Sequence, residues 1–298
     1  MRYGLAQDAN YKLAALMLVT KFIERNHNAA FMSISKNDFI DKLKERIDDP
    51  STINQGATSL CGPAVVMYCW LNKRPDLYAQ YVINVYETGM GKMGGLSVKP
   101  GEDCRNYNPA TIRGVDWVAL AALRDSENVF LDYDEESDQV SGITYPGEIE
   151  KWFNNIGFRV LENDTSLLMR EGYTVLKKAA GHFVQGRSVC LLVNKWFLDG
   201  DGVKVAANHW VVMTSEPTVD GISISSVPGE IGFLDKSIDF DVYTWGKQGT
   251  GSINKIRSND LKDFLDCFYG FVAVEYNENS VFATNLSFLS GQAISLSH

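Results

Sequence analysis

No Cys-x-x-Cys pair occurs among the five cysteines, Cys61, Cys69, Cys104, Cys190 and Cys267. Their odd number and irregular spacing argue against a disulfide scaffold and a zinc site, so a reducing compartment is expected, with no metal and no cofactor. There is no apolar run of 18 residues, so no transmembrane helix is expected. No Lys/Arg cluster stands out, and the net charge is −9. Phosphate binding needs a basic face, so a nucleic-acid partner is disfavoured. The first ten residues, Met1 to Asn10, lack a basic segment followed by an apolar core and cleavage site. No Sec signal is expected, and synthesis in the cytoplasm is. Internal repeats and low-complexity linkers are absent. Histidine is scarce, with four in the chain, so each one can be weighed individually.

What is present begins as a series of helix-period segments. Ala9–Arg25 carries Leu13, Leu16, Val19, Phe22 and Ile23 at helical spacing. Ser35–Ile47 reads as a second helix, opened by Ser35 and Asp38 as a capping pair. A helix starting at Cys61 runs to about Asn72. Arg74-Pro75-Asp76 breaks it and starts another, through Val85-Tyr86. Gly89–Gly101 holds five glycines and Pro100, and reads as a flexible loop. Further helices are expected at Val115–Arg124, Pro146–Ile156 and Thr174–Gln185, with a short strand at Phe158–Leu161. Asp132–Asp138 is acidic without EF-hand spacing, so it reads as a solvated connection rather than a calcium loop.

From Ser188 the character changes. Ser188–Asn194, His209–Thr214, Ile222–Val227, Asp239–Trp245 and Gly270–Tyr276 read as strands, with a helix at Asp260–Phe268. Helices first and an antiparallel sheet afterwards is the α+β pattern. A single domain over 1–298 is expected, with a helical half at about 1–186 and a sheet half at about 187–298.

Chemistry concentrates in Asn54-Gln-Gly-Ala-Thr-Ser-Leu-Cys-Gly-Pro-Ala64. Cys61 opens an apolar helix, where unpaired backbone N–H groups and the positive end of the dipole favour a thiolate. Gln55, six residues upstream, can donate to an oxyanion. Gly62 permits close approach, and Pro63 is tolerated near a helix start. The other cysteines read as buried hydrophobes or, for Cys104, a loop residue. His209 begins an apolar strand as Asn208-His209-Trp210, and Thr244-Trp245-Gly246 ends a later one.

In these islands the chain resembles the papain-like cysteine peptidases. In that family a Gln precedes the nucleophile by six residues, and the His follows at roughly 130–150, a range into which His209 falls. Cys-Gly-Pro-Ala in place of Cys-Gly-Ser-Cys-Trp is similar to bacterial papain-like effectors and toxins. The resemblance implies a papain-like fold, with the nucleophile on the helical half and the His on the sheet half. It implies a Cys61–His209 acyl-enzyme mechanism with Gln55 as oxyanion donor. The third residue, which orients the imidazole, would be an Asn or Asp two before Trp245. Tyr243 stands there instead. Asp241, on the same face of the strand, is the expected orienting residue, with a backbone carbonyl, the Ile222–Val227 strand, Tyr243 or Thr244, or a Cys61–His209 dyad without an acidic partner, as alternatives.

The implied function is a cysteine protease acting on a protein substrate as an effector or toxin. Its delivery would be by specialised secretion, and its producer would carry a cognate inhibitor or immunity protein. A glutamine or asparagine deamidase or an acyltransferase uses the same constellation, and a non-catalytic binding module on the same scaffold is the remaining reading.

Overall fold

The computed structural model describes residues 2–26, 29–127, 135–136, 144–199, 206–226, 232–245, 253–256 and 260–278. The helical part begins with α1 (Arg2–Ile23), α2 (Lys36–Asp48), α3 (Cys61–Lys73) and α4 (Pro75–Thr88). Pro75 sits at the first turn of α4, where its missing N–H costs nothing, and the chain turns sharply between α3 and α4. Gly89 closes α4 in the left-handed conformation, φ 71°. Ser35 occupies the N-cap position of α2 as expected, but its side chain makes no capping bond.

Gly89–Gly101 is not a loop throughout. It contains a hairpin of β1 (Gly91–Met93) and β2 (Leu96–Val98), which buries Met93 and Val98. Gly94 turns the hairpin at φ 59°, and a Cβ there would overlap the Asn155 carbonyl. Five glycines suggested flexibility. Their φ values and close contacts instead make a turn.

Next come α5 (Glu102–Asn106) and α6 (Gly114–Asp116), a π turn over Trp117–Ala121, α7 (Ala122–Glu127) and α8 (Pro146–Asn155). The remaining elements are β3 (Phe158–Asn163), α9 (Tyr173–Val184), β4 (Ser188–Val193), α10 (Trp196–Asp199), β5 (His209–Met213), β6 (Thr218–Val219), β7 (Ile222–Ser223), β8 (Ile238–Tyr243), β9 (Ile253–Ile256), α11 (Leu261–Leu265) and β10 (Phe268–Tyr276). The acidic segment Asp132–Asp138 lies outside the described residues except for Glu135 and Glu136. Glu136 accepts hydrogen bonds from the backbone N–H groups of Ala110, Thr111 and Ile112.

β3 to β10 form one antiparallel sheet in the order β3-β10-β4-β5-β8-β6-β7, with β9 also paired to β8. The expected strand at Ile222–Val227 is only the two-residue β7 within the described residues. Both faces of the sheet are covered. Cys190, Leu192, Trp210, Val212 and Tyr243 pack against the helical part. Val189, Leu191, Val193, Val211, Met213 and Val242 pack under α9 and α11. This two-sided burial explains why β4 and β5 read as continuous apolar runs rather than alternating ones. The molecule is α+β, and α3 meets the sheet at β5, so the start of the helix and the start of the strand fall beside one cavity.

Candidate active site

Cys61 is the first residue of α3, with Leu60 as N-cap. The helix is apolar almost throughout and is pressed into the core, which anchors its N-terminus. Gly62 is required by packing. A Cβ there would overlap the side chain of Thr144. Behind Thr144, the buried Arg124 reaches its hydroxyl at 3.4 Å and pairs with Glu148 at 2.7 Å.

A cavity of about 680 Å³ opens over the helix start. Cys61, Gln55, His209 and Trp245 all line it, together with Lys195 and Leu167. The sequence-predicted nucleophile, base and oxyanion donor therefore share one cavity. Cys61 is 7% exposed, Gln55 4% and His209 3%.

Burial pushes the Cys61 thiol above its ordinary value, although the backbone N–H groups of Trp210, Gly62 and Cys61 itself, and the charge of Arg124, draw it back. Removal from water outweighs the helix terminus here, so the expectation of a readily ionised thiol is corrected. His209 is pushed down to about 3, first by burial and then by the nearby charge of Lys195. At neutral pH the resting pair is therefore a neutral thiol and a neutral imidazole. No hydrogen bond joins the two; the sulfur faces the N–H of Trp210, the residue after His209.

The side chain bonded to the His209 ring is Thr244. Its Oγ1 shares a 2.5 Å hydrogen bond with His209 Nε2. Trp245 stacks on the imidazole, with ring centroids 4.6 Å apart and planes inclined by 27°. Trp245 holds this position with φ 24°, a left-handed backbone that a bulky residue adopts only under strain from its surroundings.

Asp241 is not beside His209. Its carbonyl accepts from Thr214 N at 2.9 Å, and its own N–H donates to Ser215 Oγ at 2.7 Å. Thr214 lies five residues beyond His209, about 17 Å along extended chain. The face is also wrong. Side chains alternate along β8, so Asp241 shares a face with Tyr243, and Thr244 projects from the other. The signal for Thr244 was its place directly before Trp245.

Gln55 sits in a tightly bonded loop. Its Nε2 donates to Thr58 O at 2.9 Å, and its carbonyl accepts from Thr58 Oγ1 at 2.6 Å. One N–H of the carboxamide satisfies the loop and the amide nitrogen carries a second. Asn54 N donates to Asp116 Oδ2 at 3.2 Å, and Gly56 N to Asn54 Oδ1 at 2.6 Å. Gly56 has φ 61°, and a Cβ on it would crowd the Thr111 carbonyl. Asn208, next to the histidine, is structural: its Oδ1 accepts from Lys195 N at 2.8 Å.

Among the described residues no group of His, Cys, Asp and Glu is arranged to hold a metal ion, and no helix is long and apolar enough to cross a membrane. No protein-family model, no curated protein and no solved structure matches this chain.

Proposed function

We propose that this chain is a thiol-dependent amide hydrolase of papain-like type, a cysteine protease working through Cys61 and His209. The observation that carries the reading is a single cavity lined by a cysteine at a helix N-terminus, a glutamine six residues before it, and a histidine held by Thr244 and Trp245.

In this mechanism Thr244 occupies Nε2, so Nδ1 is the basic nitrogen. Rotation about the Cys61 Cα–Cβ bond turns the sulfur from the Trp210 N–H toward the imidazole. His209 takes the thiol proton as the sulfur attacks the substrate carbonyl. Gln55 and the N–H of Cys61 donate to the oxyanion that forms. The C–N bond breaks and His209 returns the proton to the leaving amine. Water then adds to the thioester, giving its proton to His209, and the acid product leaves as the thiol is regenerated. Because both groups rest neutral, the proton moves only when substrate is in place. Leu167 in the cavity wall adjoins Leu168 and Met169, which are 80% and 72% exposed. This rim suits a substrate with apolar residues beside the reacting amide.

The depth of the site favours a second reading. A thiol and an imidazole this buried also suit a single projecting carboxamide, which makes deamidation of Gln or Asn the alternative on the same residues.

One experiment addresses both. A cell lysate is treated with wild-type protein and with Cys61→Ala, and its proteins are compared by mass spectrometry. New peptide termini made only by the wild type indicate proteolysis, and gains of about one dalton on Gln or Asn indicate deamidation. Identical lysates, or equal activity in the alanine variant, would overturn the proposal.

A further inference from the structure

The end of β8 carries two consecutive residues that face opposite ways and reach two different parts of the site. Thr244 bonds His209 on one face. Tyr243 points to the other, is fully buried, and donates its hydroxyl to the Ile53 carbonyl at 3.0 Å. Ile53 is two residues before Gln55. The Tyr243 ring also stacks on Tyr68 of α3, with centroids 4.0 Å apart and planes 8° from parallel, and Tyr68 lies two helical turns beyond Cys61. One side chain thus touches the nucleophile helix and the loop carrying the oxyanion donor, while its neighbour in sequence holds the base.

From the helical side the same loop is tied through Asn54 N to Asp116, which Arg46 grips at 2.7 and 3.2 Å. Behind Gly56 the Thr111 backbone leaves no room for a Cβ. Tyr243 supplies the tie from the sheet. Resting on the proposed thiol mechanism, we infer that Tyr243 is a positioning residue for the oxyanion donor: its hydroxyl sets the Ile53–Gln55 loop in register with the strand that orients His209.

A purely structural tyrosine and a positioning one differ in a measurable way. Acylation of Cys61 by p-nitrophenyl acetate passes through an oxyanion: sulfur bonds to the acetyl carbon, p-nitrophenolate leaves, and water later releases acetate. Alkylation by iodoacetamide displaces iodide at a saturated carbon and forms no oxyanion. The ratio of the two rates therefore isolates the oxyanion donor from the reactivity of the thiol. Gln55→Ala is expected to lower that ratio about 10²-fold. Tyr243→Phe, which removes one oxygen, is expected to lower it about tenfold, with alkylation within about twofold of wild type, because small misplacements of a donor cost rate steeply. Tyr243→p-aminophenylalanine, which keeps the ring and a donor, is expected to restore it.

An unchanged ratio in Tyr243→Phe, alongside a fall in Gln55→Ala, would overturn the positioning role and leave the mechanism standing. Failure of p-aminophenylalanine to rescue a lowered ratio would overturn it too. An unchanged ratio in Gln55→Ala, or acylation that survives Cys61→Ala, would instead show that the mechanism itself is wrong.

Discussion

At Cys61 two local effects oppose each other, and their sizes decide which prevails. A helix terminus stabilises an adjacent charge by about 0.3–1 kcal/mol, and more in partly buried geometry. Loss of water from a buried thiolate costs several kcal/mol. Burial wins, and the thiol rises above its ordinary value. Iodoacetamide should therefore alkylate Cys61 slowly at neutral pH, with a rate that climbs through and beyond pH 9. A plateau between about pH 4 and 8, the mark of a thiolate–imidazolium pair, would contradict this. His209 gives a second expectation. Its folded value of about 3 lies below the ordinary 6.5. The unfolded chain thus binds the extra proton first, and stability is lost as pH falls from about 6.5 toward 3, by an amount on the order of 4 kcal/mol. His209→Gln should flatten that loss in urea titrations run between pH 7 and 4; an equally steep loss would place the acid sensitivity elsewhere. That Cys61, His209 and Gln55 would meet at one cavity was legible because each has a distinctive local setting: helix start, strand start, six-residue lead. The partner of the His209 ring was not, because it depends on which face of β8 meets His209, and sequence alternation alone does not say which face that is.

Elements with strong punctuation were legible. Pro75 and Gly89 bound α4, and Gly157, in the left-handed conformation at φ 90°, follows the end of α8. The shortest elements were less so: β6 and β9, two and four residues long, were not expected, and of the strand expected at Ile222–Val227 only the two-residue β7 forms within the described residues; all three pair with β8 or with each other. The start of α3 and the end of β8 border the candidate site, and both can be tested. Gly62→Ala forces a methyl group into Thr144. Overpacking of this kind costs about 1–3 kcal/mol, and the shift bears directly on the first turn that carries Cys61, so a lowered Tm and lowered activity are expected together. Thr244→Val keeps the shape but removes the hydroxyl bonded to His209. A fall in kcat of about 10²-fold with a smaller change in KM is expected, from loss of the fixed tautomer and ring orientation. Asp241→Asn should leave both constants near wild type, since its side chain shares the face of Tyr243 and the residue bonded to His209 is Thr244 on the other face. A large effect there would return the orienting role to a carboxylate.

For the molecule as a whole, the cavity lies where the helical part meets the sheet, and on the helical side its loop is backed by a buried ion pair. Arg46 of α2 and Asp116 of α6 are buried, 3% and 0% exposed, and bonded in bidentate geometry. Asp116 also accepts from the backbone N–H of Asn54, the residue before Gln55. A buried pair of this kind repays its desolvation only when its geometry is good and its remaining atoms are bonded. Here the third bond goes to the Asn54–Gln55 loop that lines the cavity rather than to the core. Asp116→Ala leaves the buried Arg46 with only the partly exposed Glu45, 3.1 Å away, and should cost about 3 kcal/mol in urea unfolding. The double variant Arg46→Met with Asp116→Leu removes both charges and should recover much of that stability, since a well-packed apolar pair often equals a buried ion pair. It cannot recover the bond to Asn54 N. The double variant should therefore unfold near the wild-type urea midpoint yet still show reduced acylation by p-nitrophenyl acetate relative to alkylation. If stability and the acylation ratio return together, the pair serves the fold alone. If stability returns and the ratio does not, the ion pair is kept for the loop it holds.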